Sequence, residues 1–316
     1  MSDENIKVNE EKEVEEAPVE EKPFDQVIEE ARKGLYKSYM TSKRVSNILM
    51  FVIVAAICGI MFMIISNIPA LRITGYVLAG VLLAGMIAFY LLNRKRFPNK
   101  TKTYVALVSK TLNDEMFKNQ DFTEINNNPD EKLAMDDLVG DGIYSGASGI
   151  NSRNVIHGVF KNHHFLYSEA ALVRPSTRKQ QVPPLFVGRY ISMPNDMKFD
   201  GRFVFVFKNP KEPLDLPNAV EDLKVLEEKE DFVVYGPEGA NYHNVINNNI
   251  VSQLRRLQIK DHLLNVNVAF WGGHTAVYLS YDDAIMSVPF DKPLDKVGYE
   301  KSFEDLLISF NAIAEE

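Results

Sequence analysis

The spacing of apolar positions divides the chain of 316 residues into four stretches. Residues 1–22 have no apolar period. Glu, Lys and Val mix there, with few large side chains to offset the entropy of ordering, so a disordered acidic tail is expected over 1–22. From Pro23 the pattern turns helical: Phe24, Val27, Ile28, Ala31, Leu35 and Tyr39 share one face, and Glu29, Glu30, Lys33 and Lys37 lie opposite. Pro23 suits the first turn of a helix, where no donor is needed. The spacing predicts an amphipathic juxtamembrane helix over 23–44. Its apolar face has two uses, packing on the folded part of the chain or lying at a lipid surface.

Two uncharged runs follow. Ile48 to Ile65 would span about 27 Å as a helix, and Ile73 to Leu92 about 30 Å. Both match a hydrocarbon core about 30 Å thick. The link "SNIPALR" is too short for anything but an antiparallel turn, with Asn67 and Pro69 as helix breakers. A two-helix transmembrane hairpin is therefore expected over 45–93. Lys43 and Arg44 precede it, Arg94, Lys95, Arg96, Lys100 and Lys102 follow it, and the turn holds only Arg72. Basic residues stay on the cytoplasmic side, which predicts a two-span protein of the cell membrane with both termini cytoplasmic. Lys43, Arg44, Arg94, Lys95 and Arg96 are the candidate contacts to anionic lipid headgroups. Ala55 and Gly59, then Gly80, Ala84 and Ala88, repeat at four-residue spacing and are candidate helix-packing positions, within the hairpin or toward a second copy or another membrane protein. Neither run contains Asp, Glu, Lys, Arg or His, so nothing suggests an ion or proton path.

Beyond the basic seam, 94–316 reads as a cytoplasmic domain. Tyr104, Leu107, Val108, Leu112 and Phe117 suggest a helix over 101–118, and "NNNPDEK" at 126–132 a loop. Strand-like runs then follow one another around Val155–Phe160, Phe165–Ala171, 183–193, 201–208 and 231–236, with "NHH" as a turn between the first two. A helix is expected over 240–258. "LLNVNVAFW" and "HTAVYLSY" flank Gly272-Gly273 as a tight hairpin, and an amphipathic helix over 299–314 ends the sequence. Strands in runs with few helices between them predict an α+β class with a mostly antiparallel sheet.

Charge changes this picture little. The chain carries −8, but nine acidic groups against three basic ones in 1–22 account for −6, so the rest is close to neutral. A neutral body gives no case for nucleic-acid binding. The lone Cys58 forbids an internal disulfide and fits a reducing compartment. No secretory signal is expected from the acidic, polar first residues. Of the candidate chemistry, "GDGIYSG" lacks the strand-before, helix-after context of a phosphate cradle. Asp136, Asp137 and Asp141 do not alternate as calcium ligands must. His157, His163 and His164 lack further metal ligands, and no Gly-x-Ser-x-Gly elbow occurs. Trp271 reads as hairpin core. No catalytic residue, cofactor or metal is expected.

The order of the parts resembles a bacterial family of two-span membrane proteins with a cytoplasmic domain of unknown function. Within the domain, "FVGRYISM" and "GRFVFVFK" precede "DFVVYGPEGANYHNVINNNIVSQLRRL", then "VNVAFWGGHTAVYLSY" and a late "VPF". The resemblance covers roughly 45–295 and omits the acidic tail. It implies the topology and an α+β domain, and no reaction. The function expected is a membrane-anchored cytoplasmic interaction or scaffold module, with an unknown protein partner and possible self-association through the hairpin. The alternatives are an accessory subunit of a larger membrane complex, or a membrane-surface hydrolase built on Asp136, Asp141 or His157.

Overall fold

The computed structural model describes residues 22–128, 130–140, 143–144, 146–175, 184–195, 201–207, 223–246, 248–258, 263–271, 273–281 and 292–314, without the side chains at 39, 42, 90 and 92–101. The tail expected over 1–22 lies outside them but for Lys22.

Two very long helices come first, α1 (Phe24–Ile65) and α2 (Pro69–Met116). Each contains a stretch long and apolar enough to cross a membrane, with at most 6% of it buried. The connection is tighter than the sequence suggests, because Pro69 opens α2 instead of prolonging the turn. Arg72 closes the turn by donating from Nη2 to the Ser66 carbonyl at 3.2 Å, which satisfies a carbonyl at the end of α1. The inward positions are Leu49, Ile53, Ala56 and Ile60 on α1, and Gly75, Ala79 and Leu82 on α2. Gly75 permits the close approach: a Cβ there would lie 2.9 Å from Ile64 Cγ1.

Among the described residues nine strands form one sheet: β1 (Phe122–Asn128), β2 (Gly149–Phe160), β3 (His163–Val173), β4 (Phe186–Pro194), β5 (Arg202–Phe207), β6 (Lys224–Glu228), β7 (Phe232–Gly236), β8 (Leu263–Trp271) and β9 (His274–Tyr281). Their order is β1-β2-β3-β4-β9-β8-β5-β7-β6, and every neighbouring pair is antiparallel. The β8–β9 hairpin turns through Gly273 at φ +81° as the Gly-Gly pair requires, and it wedges between β4 and β5. The β2–β3 turn is Lys161-Asn162, both at positive φ, so "NHH" was placed too late: His163 and His164 already belong to β3. β1 takes in Asn126–Asn128 of the expected loop, and β6 lies in a charged stretch for which the spacing predicts no element.

Both faces of the sheet are covered. α4 (Asn248–Gln258), α5 (Lys296–Ala314) and the domain ends of α1 and α2 lie on one face. Phe310 of α5 is fully buried, with ring centroids 5.0, 5.2 and 4.8 Å from Phe122, Phe160 and Phe165. The other face is covered by the segment around α3 (Met135–Val139), packed on Val155, Leu172, Tyr190, Val204 and Tyr278. Tyr190 and Tyr278 donate their hydroxyls to the Asp137 and Leu138 carbonyls, both at 2.8 Å.

Candidate functional site

The boundaries expected at 44/45 and 93/94 are not breaks in the backbone. α1 and α2 run through both, and α2 continues through Pro98. Their outer ends enter the main core, where Phe24, Ile28, Tyr104, Val108, Leu112 and Met116 are buried together with the sheet and α5. From Phe24 to Leu35 the apolar face of α1 is thus spent on the domain. Phe24 meets Phe303 edge-on at 6.1 Å, and Asp25 pairs with Lys296 at 3.3 Å. Glu29 takes a hydrogen bond from Arg32 and another from the Leu294 amide at 2.8 Å. The Arg32 bond and that amide hold the Glu29 carboxyl below its ordinary value, against the effect of burial. Burial pushes Tyr104 on α2 up to about 12.

Of the expected headgroup contacts, Lys43 and Arg44 are exposed on α1, and Arg94, Lys95 and Arg96 lie within α2. The small residues do not pack the hairpin on itself. Ala55, Gly59, Gly80, Ala84 and Ala88 are all exposed, and a Cβ at Gly59 or Gly80 would meet nothing within 4 Å. The 3.6-residue twist that turns Gly75 and Ala79 inward rotates Gly80 and Ala84 outward.

A row of charge crosses the helix-covered face of the sheet. Arg153 of β2, Glu169 of β3 and Arg189 of β4 are register partners in sequence. Arg153 Nε donates to Glu169 Oε2 at 2.6 Å, while Glu169 Oε1 is buried without a hydrogen-bond partner among the described residues. Arg189 is fully buried. Its Nη1 donates to the Ser302 carbonyl of α5 at 2.6 Å, and its Cζ lies 5.6 Å from the Tyr281 ring centroid. Burial pushes the Glu169 carboxyl up, against the pull of Arg153 and Arg189. Burial opposes the Arg189 charge too, but Tyr167, Tyr281, Glu169 and Asp305 outweigh it and hold Arg189 above the ordinary guanidinium value. Tyr167 and Tyr281 are raised by burial, and Tyr299 of α5 is raised by burial to about 12. Beside Arg153 and Glu169 lies a cavity of about 230 Å³, bounded by Asn151, Ala171, Val187 and Gly188. A second cavity, of about 470 Å³, flanks the edge strand β6 near Tyr242 and His243.

Apolar spacing alone does not single out this row. The signal was present: a lone charge inside an apolar strand, as in "YSEAAL" and "FVGRYISM", must find a partner when the strand is buried. The residues that were weighed do not assemble. His157 pairs with Glu131 at 2.8 Å, and His163 and His164 are exposed on β3. Asp137 accepts from the Ala134 amide at 3.0 Å, Asp136 is exposed on α3, and Asp141 lies outside the described residues. Trp271 ends β8 and packs with the α3 face. Among the described residues no three His, Cys, Asp or Glu side chains are grouped to hold a metal.

No protein-family model matches the chain, and no curated protein matches it. Among solved structures, the mycobacterial trehalose monomycolate transport factor A is similar at a TM-score of 0.34 and 12% identity, over 64% of this chain and 95% of that one. A likeness that slight carries no argument about fold or function.

Proposed function

We propose that this chain is a membrane-anchored cytoplasmic interaction module of a bacterial cell, with both termini cytoplasmic. The observation that carries the reading is the continuity of α1 and α2. Each runs unbroken from an apolar stretch into the core of the α+β domain. A domain fixed by two helices keeps one face toward the bilayer, which suits presentation of a surface to a partner. The basic residues at both helical exits support the orientation and contact with anionic lipid. Purification of the tagged chain from its native membrane in mild detergent tests the reading. A protein recovered in near-equal amount supports it, and a chain that always emerges alone from cross-linked membranes speaks against it.

An accessory subunit of a larger membrane complex is the second reading. It is favoured by the outward-facing Gly80, Ala84 and Ala88, which offer a helix face for close approach. A surface hydrolase built on Asp136, Asp141 and His157 has less support, since the His157 ring is engaged by Glu131.

A further inference from the structure

We infer that the cavity over β2–β4 is a binding site for a small organic carboxylate, held by the Nη edge of Arg153 with its apolar body against Ala171 and Val187. Binding there requires neither the membrane nor a protein partner, so it stands apart from the anchoring role.

The helix layer sets the place. α5 covers the row that contains Arg189, through the Ser302 carbonyl, and the next row outward is Asn151, Ala171 and Val187. Among the described residues that row is left exposed or half-buried, although Ala171 and Val187 are apolar. The cavity of about 230 Å³ lies over it. Pockets for drug-sized ligands run to about 300–1,000 Å³, so this one suits a smaller molecule.

Arg153 sets the chemistry. Its side chain is 42% exposed, and among the described residues only its Nε is engaged, by Glu169. Glu169, buried and flanked by Arg189, fixes the guanidinium from behind. The Nη edge that remains presents parallel N–H donors, the arrangement that matches the two oxygens of a carboxylate. Charge selects in the same direction. Arg153, Arg189, Glu169 and Asp305 are formally balanced, and of the four all but Arg153 are buried. Arg153 is left as the charge that a ligand meets. An ammonium would face it unfavourably, and a neutral amide would gain only ordinary hydrogen bonds.

Calorimetric titration of the full chain in nanodiscs, referenced to empty nanodiscs, tests this with benzoate, butyrate, benzamide and benzylamine. Benzoate or butyrate should saturate one site, with benzamide and benzylamine weaker by about tenfold or more, which is about 1.4 kcal/mol. Arg153→Gln should weaken the carboxylate by about tenfold or more. Val187→Phe, which fills the cavity and leaves every charge in place, should abolish binding with the melting temperature retained. Silence from both carboxylates overturns the proposal. So does equal affinity for the three benzene probes, or carboxylate binding that survives Val187→Phe.

Discussion

At the scale of single residues, the Arg153–Glu169–Arg189 row sets three charges side by side on the sheet, two of them buried. A carboxyl with a folded-state pKa above its unfolded value near 4.3 keeps a proton that the unfolded chain releases. Its contribution is fullest below that unfolded value and declines as pH rises through the raised one. Replacing Glu169 with Gln removes this dependence, so the melting temperature of the variant should change less between about pH 4 and 7 than that of the wild type. Removing Arg189 takes one of two neighbouring cations from buried Glu169 and the buried donor from the Ser302 carbonyl. Arg189→Gln should therefore cost about 3–5 kcal/mol in denaturant unfolding. These residues were readable as charges inside strands. Their convergence was not, because it depends on β3 lying between β2 and β4 and on α5 folding back 113 positions later to cap Arg189.

At the scale of elements, continuity is the lesson of α1 and α2. Apolar spacing marked Phe24 and Ile28 as one face, but spacing cannot say what covers that face. The structure assigns it to the core of the domain. Ile28→Asp should detach the start of α1 and increase tryptic cleavage at Arg32 and Lys33 in isolated membranes, whereas a helix lying on lipid would show reduced lipid contact without that cleavage. Among the strands, β8 and β9 were legible to the residue because a Gly-Gly turn fixes both ends. β6 was not, since "KVLEE" is an exposed edge strand with little apolar signal. The inner strands gave continuous apolar runs instead of alternation, as expected of strands buried on both faces. Gly188 shows how tightly they pack: a Cβ there would lie 1.9 Å from the Leu279 carbonyl oxygen. Gly188→Ala should leave the chain insoluble or degraded, as read by its yield in the membrane fraction.

At the scale of the whole molecule, the hairpin and the domain share two helices, and their arrangement sorts the residues into separate roles. Positions facing inward on the hairpin, such as Gly75, let its helices approach closely, and positions facing outward, such as Gly80 and Ala84, are exposed. Leu at both Gly80 and Ala84 should leave the monomer intact and release any associated membrane protein on a native gel. Labelling of single cysteines in intact cells tests the orientation of the hairpin most directly. Cys58 is replaced by Ser, and a cysteine is installed at Asn67 in the turn or at exposed Lys118 in the domain. A membrane-impermeant maleimide should label the Asn67→Cys chain from outside, and the Lys118→Cys chain only after permeabilisation. Labelling of Lys118→Cys in intact cells, with Asn67→Cys protected, would contradict the account.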